Sequence, residues 1–276
     1  MTAPSPPPRA LTIAGSDPSG GAGLQADITV FTRLKVHPMA IPAALTVQNS
    51  AGVRAVTPLA PDTVIDALAA VHADMPPAAT KTGMLGTDAV VAALADYVAE
   101  NPLPNLVIDP ILRASSGPGL LTDDGFATLR ERLIPRATLI TPNRYEAELL
   151  WGQSIPNAAA AERAAAALRE AGAAVLITGG HLDDKGYIID TLADESGITT
   201  WRHPRHPGPS PHGTGCALSA AITAYLAHGL TLRESVRRAL AYTLTAVRTA
   251  AAPGTGRPYL GDGTTELNES PEEGTL

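Results

Sequence analysis

The feature that most constrains the fold is an alternation of short apolar runs with longer helical patterns. Runs such as LVIDP, TLIT and AVLITGG show no polar alternation, which is typical of parallel strands covered on both faces. Further strands are predicted for ALTIAG, AIPAALT, ATKTGM and GYIIDTLA. Helices are predicted over residues 22–35, 61–73, 88–100, 122–133, 144–151, 158–171, 214–228 and 232–250. This order predicts an α/β protein with helices on both faces of a mostly parallel sheet.

Composition and charge limit the domain count and the class of partner. We expect a single domain over residues 10–260, a flexible tail over 1–9 and an acidic, disordered tail over 261–276. A formal net charge of −7 argues against nucleic acid as a partner. The chain has one cysteine, no run of 18 apolar residues and no secretory h-region at its start, so we expect a cytoplasmic protein without membrane contact. The basic segment WRHPRHPGPSPH is interpreted as a solvated loop.

Polar or glycine residues follow four of the predicted strands. A glycine-rich loop follows ALTIAG, Asp109 follows LVI, Asn143 follows LIT by one proline, and Gly179 follows AVLIT. In sheets of this kind, ligands bind beyond the carboxyl ends of the strands. These residues are therefore predicted to share one rim.

The loop GSDPSGGAGLQAD has two interpretations. Residues 21–26 fit the G-x-G-x-x-A pattern of dinucleotide sites, but the loop is too long for that motif and no acidic residue follows at the required distance. A tight turn is the commoner origin of such a match, and a dinucleotide-dependent oxidoreductase is kept as a minor alternative. Asp27 either stabilises the positive end of the following helix or points to a ligand.

The motif HGTGC precedes an apolar helical run and predicts an anion hole. Gly213, Thr214 and Gly215 would turn the backbone so that its N–H groups converge at the positive end of the helix. At that end the pKa of the Cys216 thiol should fall, which makes the thiolate more available. A buried, inert cysteine and a Cys–His hydrolase pair with His212 are the competing interpretations.

Asp109 and Glu146 are candidate metal ligands on the same rim. A carboxylate at the end of a buried strand is unusual unless it is paired or functional. Together the two side chains could hold Mg²⁺ through water, because that ion keeps much of its hydration. The alternative for Glu146 is an exposed residue in the first turn of a helix.

Seven motifs in order resemble one enzyme family. The chain is similar to the hydroxymethylpyrimidine/phosphomethylpyrimidine kinases of thiamine biosynthesis, in the ribokinase-like superfamily, over residues 10–260. The motifs are AGSDPSGGAGLQAD, ALTVQNSAGV, TKTGML, VIDPI, ITPNRYEAELL, ITGGH and HGTGC. The resemblance implies a ribokinase-like three-layer α/β/α sandwich. It also implies Mg²⁺- and ATP-dependent phosphorylation of the hydroxymethyl group of an aminopyrimidine, and then of its monophosphate.

The resemblance also assigns roles to residues. Gln48 matches the pyrimidine-recognising glutamine, whose amide suits an aminopyrimidine edge, and Cys216 matches the candidate proton acceptor. Other matches line the substrate pocket (Asp27, Gly15, Met84 and Ile111), the nucleotide side (Asn143, Thr178 and Gly180), the metal and phosphates (Asp109 and Glu146) and the anion hole (Gly213, Thr214 and Gly215).

The chain departs from the family pattern in its positive charges. Many relatives have lysine at the positions of Ser115 and Thr178, and TKNTH where this chain has GPSPH before Gly213. The departures leave open a pyridoxal kinase of the same superfamily and a non-catalytic pyrimidine-binding protein. Gln48 favours the pyrimidine. A homodimer is expected because ribokinase relatives are commonly dimers.

Overall fold

The computed structural model describes residues 6–112, 121–181, 186–264 and 272–274. Within these residues the strands are β1 (Arg9–Ser16), β2 (His37–Asn49), β3 (Gly52–Pro58), β4 (Ala79–Thr82), β5 (Leu106–Ile108), β6 (Leu139–Ile140), β7 (Ala174–Ile177), β8 (Tyr187–Asp194), β9 (Gly197–Pro204) and β10 (Glu272–Gly274). They form one sheet in the order β10-β9-β8-β7-β6-β5-β4-β1-β2-β3. The six strands from β2 to β7 in this order pair in parallel.

Eight α-helices connect or follow the described strands. They are α1 (Gly23–Arg33), α2 (Pro61–Asp74), α3 (Asp88–Glu100), α4 (Asp123–Thr128), α5 (Arg144–Trp151), α6 (Ala158–Arg169), α7 (Thr214–Ala227) and α8 (Leu232–Arg248). The single helix predicted over 122–133 is α4 followed by a π-helical turn, Leu129–Leu133. None of the described helices is long and apolar enough to cross a membrane.

Alternate residues of the central strands pack into two apolar layers. Leu106 and Ile108 of β5 belong to the cluster with α2 and α3, whereas Val107 belongs to the cluster with α7 and α8. Each of these side chains is at most 1% exposed. Burial of one such aliphatic side chain contributes about 1.5–3 kcal/mol. The predicted α/β/α sandwich with a mostly parallel sheet is confirmed, and its layers fix the strand ends that carry the site.

Two strands and part of the tail differ from the sequence prediction. β3 was not predicted, because it is an edge strand with no fully buried residue and no clear apolar period. β9 takes in the start of the segment interpreted as a solvated loop, where Trp201 is 1% exposed. Residues 272–274 of the tail expected to be disordered pair with β9 as an antiparallel strand.

Candidate active site

A cleft of about 1450 Å³ lies at the carboxyl edge of the parallel strands. The residues predicted on the nucleotide, metal and anion-hole sides all line it. They are Asp109, Asn143, Glu146, Thr178, Gly180, Gly213, Thr214, Gly215 and Cys216, together with Ile111 from the predicted pyrimidine pocket. Gln48, Gly15, Met84 and Asp27 lie outside the cleft wall, and Ser115 lies outside the described residues.

The amino end of α7 has the geometry expected of an anion hole. Gly213 is the N-cap, with a left-handed φ of 81°, and no side chain caps the helix. The first-turn N–H groups of a helix have no partner within the helix and favour an anion. Gly213, Thr214, Gly215 and Cys216 line the cleft, so these amides can meet an oxyanion there.

The predicted fall in the pKa of Cys216 is wrong. The residue keeps some contact with solvent, but it lies deep in the protein, and burial raises the pKa of its thiol to about 12. The carboxylates of Asp109 and Asp27 raise it further, while the Lys81 ammonium and a hydrogen bond from the Gly23 N–H act in the opposite direction. The helix end is a local effect, and burial among carboxylates outweighs it.

Asp27 lies beneath the site rather than beside a substrate. Its Oδ2 accepts hydrogen bonds from Lys81 Nζ at 2.8 Å and Thr12 Oγ1 at 2.6 Å, and Asp27, Lys81 and Thr12 are all 0% exposed. Direct contact with a ligand, as the resemblance implied, is therefore corrected: Asp27 acts on the site through Lys81. Burial alone would lower the pKa of Lys81, but Asp27, Cys216 and Asp109 together raise it, so the lysine is protonated.

Asp109 links the end of β5 to the first turns of α7. The residue is 7% exposed, and Ser219 donates from its Oγ to Asp109 Oδ2 at 3.0 Å. Burial raises the pKa of Asp109, and the charge of Lys81 and the hydrogen bond from Ser219 only partly offset this. The carboxylate is thus held in place one turn from the predicted anion hole.

Glu146 closes a capping box at the start of α5 and also lines the cleft. The Asn143 N–H donates to Glu146 Oε2 at 2.9 Å, and Asn143 Oδ1 accepts from the Glu146 N–H at 3.1 Å. Burial and then the nearby charge of Asp109 raise the pKa of Glu146 to about 8. Two carboxylates that disfavour each other's ionisation are a suitable pair for a divalent cation.

These donors fit Mg²⁺ held largely by water. No group of three or more His, Cys, Asp or Glu side chains in the described part of the chain could enclose a metal ion. Mg²⁺ usually binds one or two carboxylates and completes its shell with water and phosphate oxygens. Asp109 and Glu146 meet that requirement without a third protein ligand.

The turn Thr178–Gly180 is held against two neighbouring elements. The Thr178 N–H donates to the Pro142 carbonyl at 3.0 Å, and the Gly179 N–H donates to Asp190 Oδ1 at 2.9 Å. A Cβ at Gly179 would lie 2.0 Å from the Ile189 carbonyl oxygen, so the turn requires glycine there.

Gln48 lies in a polar network between two loops. Its Nε2 donates to Asp17 Oδ2 at 3.1 Å and lies 2.8 Å from His212 Nε2, which is itself 3.4 Å from Asp17 Oδ2. Burial would raise the pKa of Asp17, but hydrogen bonds from His212 and Ser19 outweigh it and lower the value. The hydroxyl of Tyr259 donates to Ser19 Oγ at 2.6 Å, which ties the C-terminal segment to the network.

Met84 covers Gly15 at the pyrimidine side. A Cβ at Gly15 would lie 2.3 Å from Met84 Cε, so the methyl group occupies the space that a side chain would take. A Cβ at Gly83 would lie 3.3 Å from Lys81 Nζ and 3.9 Å from Ile111 Cδ1. The predicted pocket residues are therefore neighbours of the buried lysine.

Two alternative interpretations from the sequence do not fit these contacts. A Cβ at Gly23 would lie 2.2 Å from the Gly15 carbonyl oxygen, and one at Gly213 would lie 1.9 Å from that of Gly21. The glycines of the dinucleotide-like pattern thus let backbones approach each other. His212 directs Nε2 to Gln48 and Asp17, which differs from the Cys–His hydrolase pair.

Sequence reasoning missed four polar residues of the site: Lys81, Asp17, His212 as their partner, and Ser219. Lys81 carries the only available indication, since a lysine inside a predicted buried strand needs an acidic partner. The partner, Asp27, is 54 residues away in the chain, and no local pattern connects the two.

Comparisons with known proteins agree with this geometry. A family model described as phosphomethylpyrimidine kinase matches residues 17–260. The hydroxymethylpyrimidine/phosphomethylpyrimidine kinase of Bacillus subtilis is 40% identical over 249 residues, covering 90% of this chain and 92% of the relative.

Solved structures share the fold over nearly the whole chain. The pyridoxal kinase from Staphylococcus aureus in complex with ADP has a TM-score of 0.87 at 29% identity, covering 97% of this chain and 98% of that one. The phosphomethylpyrimidine kinase from Clostridium difficile has a TM-score of 0.76 at 35% identity, covering 87% and 99%. By the extent of the family model and of the Bacillus subtilis relative, the chain belongs to the phosphomethylpyrimidine kinase family.

Proposed function

We propose that the protein transfers the γ-phosphoryl group of ATP to the hydroxymethyl group of 4-amino-5-hydroxymethyl-2-methylpyrimidine, and then to the phosphate of the product. The family model over residues 17–260 carries this proposal. The cleft supports it, because it places an uncapped helix end opposite two carboxylates and two backbone turns. Phosphoryl transfer needs this combination of positioning and charge stabilisation.

The reaction forms a bond between the substrate oxygen and the γ-phosphorus and breaks the bond between that phosphorus and the bridging oxygen of ADP. The amides of Gly213, Thr214 and Gly215 would donate to the equatorial oxygens, on which negative charge is spread. The Thr178–Gly180 turn and Asn143 would hold the nucleotide. Mg²⁺ held by Asp109 and Glu146 would neutralise charge on the phosphates.

Cys216 is assigned to the hydroxyl that is phosphorylated, with a changed role. A thiol with a pKa of about 12 is protonated at neutral pH and cannot act as a resting base. In a loose transition state the hydroxyl proton need not leave before the new bond forms. We therefore assign Cys216 to orienting the hydroxyl, while the proton passes to a phosphoryl oxygen and is later lost to water.

Gln48 is proposed to recognise the aminopyrimidine edge after exchanging its present partners. Its amide can donate to a ring nitrogen and accept from the exocyclic amine. In the structure Nε2 is directed to Asp17 and His212. Binding of the pyrimidine would thus compete with this network, and Met84 would move from Gly15 to open the pocket.

The test is a steady-state comparison of three acceptors with ATP and Mg²⁺. The pyrimidine alcohol, its monophosphate and pyridoxal are compared by release of ADP, and the products are identified by ³¹P NMR. We expect turnover of both pyrimidines. Turnover of pyridoxal alone would refute the proposal.

The variant Cys216→Ser separates the two roles of the thiol. A hydroxyl at this position can still orient the substrate, so we expect kcat to fall less than tenfold. Loss of a general base would instead lower kcat by about 10²–10⁴-fold.

Pyridoxal kinase is the second candidate, because the solved pyridoxal kinase has the higher TM-score of the two structures compared. The 40% identity with a pyrimidine kinase outweighs it. Tight binding of the pyrimidine without turnover of any alcohol would instead indicate a non-catalytic binding protein. A homodimer in the cytoplasm completes the proposal, and light scattering on the purified chain tests the dimer.

A further inference from the structure

A buried histidine–aspartate pair lies behind the turn that is proposed to hold the nucleotide. His203 Nε2 lies 2.9 Å from Asp190 Oδ2, and the two residues are 7% and 3% exposed. They lie on the neighbouring strands β9 and β8, at the part of the sheet that lines the cleft. Neither residue belongs to the motifs that carry the family resemblance.

The pair acts on the turn through one backbone hydrogen bond. The Gly179 N–H donates to Asp190 Oδ1 at 2.9 Å, so each carboxylate oxygen of Asp190 has one partner. A hydrogen bond from an amide to a carboxylate is about twice as strong as one to a neutral acceptor. The second anchor from this side, Arg205 Nη1 to the Gly180 carbonyl at 2.9 Å, is exposed and therefore weaker.

The position of Asp190 creates an electrostatic difficulty that His203 resolves. A carboxylate in the wall of a cleft for a polyanionic nucleotide repels the ligand and rotates easily if only one oxygen is bound. His203 donates to the second oxygen and prevents that rotation. Its Nδ1 is buried with no hydrogen-bond partner among the described residues, a cost that an apolar side chain would avoid. The imidazole is thus explained by its Nε2 bond rather than by packing.

We propose that His203 is a positioning residue for nucleotide binding: it fixes the carboxylate of Asp190, which in turn fixes the Gly179 amide and the Thr178–Gly180 turn. This inference rests on the proposed function, because it takes that turn as part of the nucleotide site. It predicts a defect confined to the nucleotide, since the Gln48 network and the amino end of α7 do not depend on the pair.

Two amide variants of His203 test the proposal at nearly constant size and polarity. In His203→Gln the side-chain Nε2 reaches the position of the imidazole Nε2, whereas in His203→Asn the amide is one methylene too short. We expect His203→Asn to raise the Kd for ADP, measured by calorimetry, and the KM for ATP about tenfold. His203→Gln should restore both within about threefold of the original protein. In both variants the KM for the pyrimidine alcohol should stay within twofold.

The exposed His37, at the opposite edge of the sheet, provides the matched control His37→Asn. Equal ADP affinity in the Asn and Gln variants of His203 would overturn the inference, as would an equal loss for ATP and the alcohol. If the original protein itself binds no ADP, the proposed function fails as well. Binding by the original protein with no change in His203→Asn would refute the inference alone.

Discussion

The thiol of Cys216 should be protonated throughout the physiological pH range. Its pKa of about 12, against an ordinary value of 9.0, leaves about 10⁻⁴ of the thiol ionised at pH 8, compared with about one tenth for a free thiol. Alkylation requires the thiolate. The rate of alkylation should therefore be about 1000-fold lower than for a free thiol at this pH, before any effect of access.

The assay uses the fact that Cys216 is the only cysteine of the chain. Labelling with iodoacetamide is followed by mass spectrometry from pH 7 to 10.5, with circular dichroism to verify the fold and Cys216→Ala as the blank. Restricted access lowers the rate equally at every pH, so the shape of the profile reports the pKa. We expect the rate to rise about tenfold per pH unit without a plateau.

Two variants test the cause of the shift. Asp109→Asn should increase the labelling rate at constant pH, because the Asp109 charge raises the pKa of the thiol, and Lys81→Met should decrease it. A plateau at or below pH 9 in the original protein would refute the reasoning. It would show that the helix end dominates, and Cys216 would again be a candidate base.

The remaining predictions concern stability, pH and substrate choice. Lys81→Met should lower the free energy of unfolding in urea by about 3–5 kcal/mol, because it leaves Asp27 buried without its cation; the exposed Lys35→Met should change it by less than 0.5 kcal/mol, and equal effects would contradict the buried pair. Glu146, with a pKa raised to about 8, keeps its proton in the folded state while the unfolded chain has lost it. Stability from this group is thus present below pH 4.5 and lost as the pH rises to 8, so the thermal stability of the original protein relative to Glu146→Gln should fall over that range, by at most about 1.4 kcal/mol per unit; a constant difference would argue against the shift. Gln48→Ala should raise the KM for the pyrimidine alcohol about tenfold and leave the KM for ATP within twofold, and an equal loss for both would remove its assigned role.

The parallel part of the sheet could be predicted because its strands are buried on both faces. Leu106, Val107 and Ile108 are each at most 1% exposed, so the run of apolar residues has no other location. The edge strands lack this constraint. β3 has no buried residue, and β9 ends in the His- and Pro-rich segment, so local composition favoured loops at both positions.

The candidate site was predictable where it depends on backbone position and not where it depends on distant charges. Asp109, Asn143 and Gly213 follow or precede predicted elements, and the topology brings them to one cleft. Lys81 and its partner Asp27 meet only in the folded chain. Their charges, with burial, decide the pKa of Cys216, which is why a rule based on the helix end alone predicted the wrong direction.

The glycines around the site are best explained by contacts between loops. Gly21 and Gly213 approach each other so closely that a Cβ at Gly213 would lie 1.9 Å from the Gly21 carbonyl oxygen, and Gly23 approaches Gly15 in the same way. The Gly23 N–H also donates to the Cys216 thiol. The loop after β1 and the amino end of α7 therefore form one rigid unit, with the pyrimidine network on one side and the anion hole on the other. A change in either loop alters the position of Cys216, so the acceptor hydroxyl and the transferred phosphoryl group are aligned by the same backbone contacts.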